Sequence, residues 1–331
     1  MFIGLDRAHF LSPSGQCKSF DATADGYCRA EGCGVLVLKT LEDALAENDQ
    51  ILGIIRGSEL GQSGNASSIT HPHSPTQVSV LQRLLQKSGV EPNDVSVVEA
   101  HGTGTQAGDP KEINSITNAL CSSRPVEKSL YVTSHKGNIG HCEAASGLIA
   151  TIKICLMFKY SRIPPQASLT TLNPKIEGLD KSNAVIPLKA VNWSRKSDRR
   201  RLGVVNNFGA AGSIGAILME EPPISGPKSG AAHTDGHLHV ICLSAKTDAA
   251  LELLRDDILR NLKAISSSSA LGNFCYTLSA RRMVFEKRIT ATGRTSSEIH
   301  DNLSRIQSIE AAKCNKNIVF VFSGQGSQVC P

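Results

Sequence analysis

Short apolar runs of strand length alternate along this chain with stretches whose apolar residues recur at helical spacing. Four strands are predicted in the first part of the chain, at residues 34–39, 51–57, 95–100 and 130–134. Helices are predicted between and after them, at residues 43–47, 78–87, from 109 onward and at 143–160. Strands that alternate with helices bury their apolar faces in a layered arrangement, so the sequence predicts an α/β fold.

The third of these helices carries its own start signal. Asp109 precedes a proline, and Glu112 follows three positions after Asp109. An aspartate cap, a proline at the first helical position and a glutamate at the third are typical of a helix N-terminus. We therefore expect Asp109 to cap this helix.

A change in composition divides the chain near residue 220. Pro, Gly and Ser crowd residues 222–230, which indicates a linker. Beyond it the pattern predicts a strand at 239–244, a helix at 248–265, a loop at the serine run 266–269, a helix at 297–309 and a strand at 318–322. The domains expected from this division span residues 1–222, 223–314 and 315–331.

Charge and aromatic content argue against a nucleic-acid partner. The 35 Lys and Arg against 30 Asp and Glu leave a formal net charge of +5, and aromatic residues form only 4% of the chain. A surplus this small promotes solubility without forming a strong basic field, and few rings are present for base stacking.

The sequence also argues against a metal site, a redox dithiol and a membrane span. The ten cysteines are scattered with no Cys-x-x-Cys pair, which argues against a zinc ribbon or a redox dithiol. His71 with His73, and the histidines near residues 233–239, lack carboxylate or cysteine partners at ligand spacing. The longest apolar stretch, at 148–158, contains Lys153 and is too short to span a bilayer. We expect a soluble, cytoplasmic protein with free thiols, no membrane segment and no metal.

The most informative segment follows the predicted strand at 95–100. His101 opens a Gly-Thr-Gly-Thr loop, so Thr103 and Thr105 supply two hydroxyls just before a helix. Glycines let a ligand approach the backbone closely, and hydroxyls can hydrogen-bond an amide or carbonyl group. This pattern is typical of a binding loop.

A second segment repeats this arrangement after the strand at 130–134. The loop Ser-His-Lys-Gly-Asn-Ile-Gly leads to His141 and then to a long helix. Open α/β sheets build their sites beyond strand ends, so His101 and His141 are candidates for one site. On spacing alone, two structural histidines in capped loops are an equal alternative.

A third segment is an apolar strand, a glycine-rich turn and another apolar strand, over residues 203–220. Such a turn can present backbone N–H groups to an oxyanion. A tight hairpin with no further role is the alternative.

Together the three segments resemble the β-ketoacyl synthase (ketosynthase) family of polyketide and fatty-acid synthases. His101 matches the histidine of the family's His-Gly-Thr-Gly-Thr motif, and His141 that of its Lys-x-Asn-Ile-Gly-His motif. The stretch at 20–34 resembles the one that follows the active-site region in the family, and those at 9–12, 70–73, 101–109 and 206–212 are similar to fungal non-reducing polyketide synthases in particular. Residues 318–328 resemble the first strand and oxyanion loop of the acyltransferase that follows in such enzymes.

The resemblance implies a partial thiolase-like layered αβαβα fold, followed by a small α/β linker domain. It implies that His101 and His141 assist decarboxylation of a malonyl extender and stabilise the resulting oxyanion. Lys136, Glu112 and Asn138 would support the site, with Glu112 as the buried partner of Lys136. Other residues take their implied roles from the same motifs: phosphopantetheine contacts for Thr103 and Thr105, an oxyanion turn for Phe208, Gly209 and Ala210, and an acyltransferase oxyanion loop for Gln325.

The family reaction is decarboxylative Claisen condensation of malonyl units on an acyl carrier protein. The resemblance implies no directly bound cofactor, because the carrier's phosphopantetheine delivers malonyl and acyl thioesters. It also implies a homodimer formed through the ketosynthase. We expect an acyltransferase by family. The basic run at 195–201 is expected to be a solvated loop, and binding of phosphate or of a carrier protein's acidic face is the alternative.

Two departures bear on activity. No cysteine lies in the family's Ala-Cys-Ser-Ser context, and Cys121-Ser-Ser falls on the wrong side of His101, so we expect no acylation of this chain alone. Ile214 replaces an asparagine that helps to fix the glycine turn in the family. Two alternatives therefore remain beside a part of an active synthase, namely a non-functional remnant and a non-catalytic dimerisation or carrier-binding module.

Overall fold

The computed structural model describes residues 2–68, 72–196, 199–223, 237–306 and 309–310. The chain divides into two compact units, residues 1–224 and 225–331, and each unit is described by itself. The expected strand at 318–322 and the expected third domain lie outside the described residues.

The first unit is a mixed sheet with helices on both faces. Its strands are β1 (Ile54–Gln62), β2 (Val95–Glu99), β3 (Leu130–Thr133), β4 (Arg162–Ile163), β5 (Ala184–Val185), β6 (Val191–Asn192), β7 (Leu202–Phe208) and β8 (Ser213–Glu220). Its helices are α1 (Phe2–Arg7), α2 (Leu41–Ala46), α3 (Ser74–Ser88), α4 (Gly108–Leu120), α5 (Lys136–Ile139), α6 (Ser146–Tyr160) and α7 (Leu179–Ser182).

The strand order of the main sheet is β1-β8-β7-β2-β3-β5. Strand β2 lies between β3 and β7 and is parallel to both, while β8 is antiparallel to β7 and to β1. Because parallel neighbours end at the same edge, the loops after β2, β3 and β7 meet there. The predicted alternation of strands and helices is confirmed, and it brings three loops to one place.

Side-chain alternation in the central strands explains why both faces of the sheet are covered. Val98 and Val204 belong to a core shared with α3 and α4. Their neighbours Val97 and Val205 belong to a second core, which includes Ile154 of α6. Successive strand residues point to opposite faces, so runs of consecutive valines require a helix layer on each side.

The strand predicted at residues 34–39 is not formed. That segment has no regular secondary structure, and Val37 is 94% exposed, with Val35 and Leu38 exposed beside it. A strand needs a neighbouring backbone for its hydrogen bonds, and no strand among the described residues pairs with this segment. The prediction at 51–57 is shifted, since β1 begins at Ile54 and ends at Gln62.

Asp109 does not cap α4. The helix begins at Gly108, and its N-cap position is occupied by Ala107, which makes no side-chain capping hydrogen bond. The carboxylate of Asp109 instead accepts hydrogen bonds from the backbone of Phe20 and Gly104, at 2.7 and 3.2 Å. The Asp109 carboxylate therefore binds backbone N–H groups of the neighbouring loops, rather than those of the first turn of its own helix.

Three arginines of the basic run at 195–201 form ion pairs, although Lys196, Arg199 and Arg200 are exposed as expected of a solvated loop. Arg201 is only 9% exposed, and its Nε lies 2.6 Å from the fully buried carboxylate of Glu221. Arg195 contacts the same carboxylate at 3.2 Å, and Arg200 pairs with Glu220. Glu220, the last residue of β8, and Glu221, which follows it, therefore pair with three arginines of the run.

The second unit contains a three-stranded antiparallel sheet, with strand order β11-β10-β9. Its elements are β9 (His239–Ala245), α8 (Asp248–Leu262), α9 (Ser268–Ala280), β10 (Lys287–Gly293), α10 (Ser296–Arg305) and β11 (Ile309–Glu310). The buried side chains of β9 and β10 alternate with exposed ones and pack on the three helices. The expected small α/β unit is thus present.

The sequence pattern does not predict helix α9, because the serine run at its start has the composition of a loop. Ser267 is the N-cap of α9, and its hydroxyl accepts a hydrogen bond from the backbone N–H of Ala270. Serine is neutral to unfavourable inside helices and favoured at their N-caps, so a serine run marks a helix start as readily as a loop.

Candidate active site

The two candidate histidines meet at the shared edge of the sheet. His101 lies two residues after β2 ends, and His141 lies in the loop between α5 and α6. Their ring centroids are 5.4 Å apart, and the planes of the two rings are nearly perpendicular. The ring of Phe208, at the end of β7, has its centroid 5.1 Å from that of His101. Three segments far apart in the chain thus form one cluster.

The hydrogen bond at Nδ1 of His141 fixes its tautomer. The backbone N–H of Glu143 donates to this nitrogen at 3.0 Å. A nitrogen that accepts carries no proton, so the proton of the neutral ring is on Nε2. Burial and the charge of Lys136 lower the pKa of His141 from 6.5 to about 3, so the ring is neutral at ordinary pH. His141 therefore presents an N–H donor.

His101 is neutral for the same physical reasons. Burial and the nearby charge of Lys136 lower its pKa well below 6.5. Its Nδ1 lies 3.3 Å from the backbone N of Phe208 and 2.9 Å from Oδ1 of Asn207. Asn207 was not among the predicted site residues, although it stands beside Phe208 in the glycine-turn motif.

Buried carboxylates hold the loop that begins at His101. Both oxygens of Glu112 accept backbone N–H bonds, from His101 and from Gly102, each at 2.8 Å. Burial raises the pKa of the Glu112 carboxyl, and that of Asp109 to about 6. Asp109 was missed as a site residue, because its spacing from Glu112 suggested a helix cap. Two carboxylates thus fix the backbone on which His101 and Thr105 are carried.

Lys136 is the charged centre of the site. Its side chain is 1% exposed, and burial lowers its pKa. Glu112 and Glu99 act on it electrostatically, but within the described ranges its amino group has no ion pair or hydrogen bond. The implied partnership of Glu112 and Lys136 is therefore one of charge at a distance, since the oxygens of Glu112 are bound to backbone N–H groups.

Glu99 was also missed, and it joins the elements behind the two histidines. This fully buried carboxylate accepts from the backbone N and Nδ1 of His135, at 2.6 and 3.0 Å, and from Oγ1 of Thr133 at 2.6 Å. Nζ of Lys153, in α6, lies 2.7 Å away. Lys153 and His135 hold the pKa of Glu99 at about 2, against the desolvation that would raise it.

The glycine turn is a hairpin closed by its own backbone. Gly209 N–H donates to Ser213 at 2.8 Å, and the amide of Gln62 donates to the carbonyl of Ala211 at 2.8 Å. Ala210 is exposed at the tip of this turn. Ile214 points into the core, so the turn forms here without the side-chain hydrogen bonds of an asparagine at that position.

The two threonines predicted to contact phosphopantetheine differ in the hydrogen bonds that their hydroxyls make. Thr105 Oγ1 accepts from Gly108 N at 3.1 Å, whereas the hydroxyl of Thr103 contacts only that of Thr105, at 3.5 Å, among the described residues. Asn138 is exposed in α5. Gln325 lies outside the described residues.

Two buried cysteines of the first unit, Cys17 and Cys121, are poor nucleophiles. Burial raises the pKa of Cys17 to about 11, and it raises the pKa of Cys121 at the end of α4. A thiol attacks as its thiolate, so neither is activated. In the part of the chain that the structure describes, no group of three or more His, Cys, Asp or Glu side chains is placed to hold a metal ion.

Residues 52–170 match the model of the C-terminal domain of β-ketoacyl synthases, and residues 1–44 match that of the N-terminal domain. The chain belongs to the β-ketoacyl synthase family. Residues 239–303 of this ketosynthase chain match a CurL-like polyketide synthase C-terminal model. The recognition made from the His101 and His141 motifs is confirmed.

Curated relatives of this ketosynthase chain are fungal polyketide synthases. It is 48% identical over 99% of its length to an orsellinic acid synthase of Armillaria mellea, and 46% identical over 99% to one of Beauveria bassiana. It is 44% identical over 98% of its length to a non-reducing polyketide synthase of Aspergillus flavus. The chain spans 15% of the length of the first two relatives and 19% of the third.

Solved ketosynthases share the fold. The ketosynthase from module 6 of the Bacillus subtilis bacillaene synthase matches with a TM-score of 0.79 at 29% identity, covering 92% of this chain and 51% of that one. An oxazolomycin ketosynthase domain of Streptomyces albus matches with a TM-score of 0.81 at 26% identity, covering 94% and 54%. The expected thiolase-like α/β fold is confirmed. Among the described residues, no helix is long and apolar enough to cross a membrane.

Proposed function

We propose that residues 1–222 supply the two histidines of a ketosynthase site in a fungal non-reducing polyketide synthase, where they promote decarboxylative Claisen condensation. The observation that carries this proposal is the pair of neutral imidazoles with centroids 5.4 Å apart, each receiving a backbone N–H at Nδ1. Each ring then has a proton on Nε2, and two such donors can bind one oxyanion.

The chemistry follows from these donors. Loss of CO2 from a malonyl thioester leaves the C–C bonding pair on the α-carbon, and the charge is shared with the thioester oxygen. Nε2–H groups of His101 and His141 stabilise this enolate. Its carbon then attacks the carbonyl of an acyl thioester held on a cysteine, and the cysteine leaves as the thiolate. The product is extended by two carbons.

Neutral histidines suit this reaction better than charged ones. An imidazolium would pair with the malonyl carboxylate and stabilise the ground state, whereas a neutral N–H gains most where negative charge develops. The charge of Lys136 lowers both histidine pKa values, so we propose that Lys136 keeps the pair neutral.

The proposed substrates arrive as malonyl and acyl thioesters on the phosphopantetheine of an acyl carrier protein. The half-buried hydroxyl of Thr103 is available to that arm, and the Thr105 hydroxyl stands beside it. The exposed backbone N–H of Ala210 is proposed to bind the acyl oxyanion. We propose no directly bound cofactor, and we propose a homodimer formed through the ketosynthase, as in the family.

The nucleophile is proposed to come from sequence outside these 331 residues. None of the ten cysteines has the Ala-Cys-Ser-Ser context, and burial suppresses the thiolate of Cys17 and Cys121. Incubation of the chain with acetyl and malonyl thioesters, followed by intact-mass measurement, is expected to show no acyl adduct. An adduct on one cysteine that displaces a stoichiometric thiol would overturn this part of the proposal.

A segment exchange tests the function itself. The 331 matching residues of the Armillaria mellea orsellinic acid synthase are replaced by this chain, and orsellinic acid is measured. Product is expected, with a loss of at least about 100-fold for His101→Ala or His141→Ala. His300→Ala, in the second unit, is the matched control and should retain the exchanged enzyme's rate. Full activity of the His141→Ala hybrid would refute the proposal.

A further inference from the structure

The side-chain amide of Asn207 lies between the ring of His101 and the hydroxyl of Ser146. Its Oδ1 is 2.9 Å from Nδ1 of His101, and its Nδ2 is 2.9 Å from Oγ of Ser146. Ser146 is buried at the start of α6, a helix that packs on β7.

 Asn207 follows His101 by 106 residues and Ser146 by 61, so these three side chains meet only in the folded chain.

The start of α6 is shaped to receive this amide. A Cβ atom at position 147 would lie 2.8 Å from Nδ2 of Asn207, so the glycine found there leaves the space that the amide occupies. Both Ser146 and Gly147 thus serve the same side chain, one by hydrogen bonding and the other by its small size.

The backbone N–H of Phe208 determines which way the side-chain amide of Asn207 faces. The backbone N–H of Phe208 can only donate, and it lies 3.3 Å from Nδ1 of His101, so this nitrogen acts as an acceptor. The oxygen and the NH2 group of an amide fill nearly the same space, and their neighbours determine which is where. With Nδ1 unprotonated, the favourable orientation directs the NH2 group to His101 and the oxygen to the hydroxyl of Ser146.

We propose that Asn207, oriented by Ser146, is a positioning residue that keeps Nδ1 of His101 unprotonated and the ring proton on Nε2. The tautomer itself does not depend on the proposed function. Its importance for catalysis does, because an enolate oxygen needs a proton donor at Nε2. In the other tautomer Nε2 presents a lone pair to that oxygen and repels it.

The tautomer can be read in the 331-residue chain without any reaction. Long-range ¹H–¹⁵N spectra of the uniformly labelled protein distinguish protonated from unprotonated ring nitrogens, and the His101 signals are assigned by their loss in His101→Gln. The wild type is expected to show a proton on Nε2 and none on Nδ1. In Asn207→Asp the carboxylate can only accept, so Nδ1 is expected to gain a proton.

Two further variants make the test independent of one substitution. Ser146→Ala frees the amide to turn, so partial protonation of Nδ1 is expected. Thr151→Ala is the control, because that hydroxyl lies on the same helix and bonds the Gly147 carbonyl at 2.9 Å. It should leave His101 unchanged. The His141 signals should stay constant in every variant and report that the site is folded; if Asn207→Asp disturbs them, Ser146→Ala decides.

A proton on Nδ1 of His101 in the wild type would overturn the inference, and so would an unchanged tautomer in the folded Asn207→Asp and Ser146→Ala variants. These outcomes are separate from those of the segment exchange. If the hybrid synthase makes no product while the tautomer responds as expected, the proposed function fails and the role of Asn207 stands.

Discussion

Replacing Arg201 by methionine tests whether the basic run is structural. The guanidinium donates to Glu221 at 2.6 Å, to the carbonyl of Trp193 at 2.7 Å and to the carbonyl of Phe158 at 3.1 Å. Methionine keeps much of the apolar volume and removes all of these donors. Breaking a buried ion pair by removing one partner costs about 3–5 kcal/mol, a large part of the stability of an ordinary domain.

The measurement is urea unfolding followed by tryptophan fluorescence. Trp193 is the chain's one tryptophan, and the guanidinium of Arg201 lies 5.3 Å from its ring, so its emission reports on the first unit. With a denaturant slope of about 2–3 kcal/mol per molar, the midpoint should fall by about 1–2.5 M.

Arg200→Met is the matched control. Arg200 is 55% exposed, and its partner Glu220 also holds Arg56 at 2.5 Å. The Arg200 side chain is largely in water, and the buried Glu220 keeps Arg56 as a partner when Arg200 is replaced, so the midpoint should fall much less than for Arg201→Met. Equal shifts for the two variants, or a loss under about 1 kcal/mol for Arg201→Met, would refute the structural role assigned to Arg201.

Four further outcomes are expected. His141 should remain neutral as the pH falls from 7 to 5, because its pKa is about 3, and an NMR titration that protonates it near 6.5 would contradict this. Since the unfolded histidine does protonate near 6.5, this residue should lower stability as the pH falls from about 6.5 to 3, measured by unfolding midpoints. Exposed Cys33 should be alkylated by iodoacetamide before buried Cys17, as peptide mapping will show; the reverse order would contradict the burial. Ser267→Ala should cost about 1 kcal/mol in the unfolding of the second unit, followed by circular dichroism, and no change would argue against the cap.

Local patterns predicted those parts of the molecule that depend on neighbours in sequence. The strands at 95–99 and 130–133 and the helix at 146–160 could be found because their apolar spacing is a local property. The run at 34–39 has the same local pattern and forms no strand, since pairing requires a second backbone that no local signal provides. The serine run before α9 has the composition of a loop, and its role as a cap depends on the helix after it.

The candidate site divides in the same way. The motifs around His101 and His141 identified both rings and their family from sequence, because these loops are contiguous. Asn207 lies in the glycine-turn segment and Glu99 in the predicted strand at 95–100, but neither was identified as a site residue, because their partners lie 106 and 36 residues away. A spacing rule cannot reveal a hydrogen bond between segments that only the sheet brings together.

Local sequence is enough to recognise the family, the α/β alternation and the two loops that carry the histidines. The protonation of those histidines, the burial of Arg201 and the hydrogen bonds of the Asp109 and Glu112 carboxylates follow from the folded arrangement, because pKa values and buried hydrogen bonds depend on which groups exclude water together. That grouping arises from strand order and helix packing, which bring distant residues within a few ångströms.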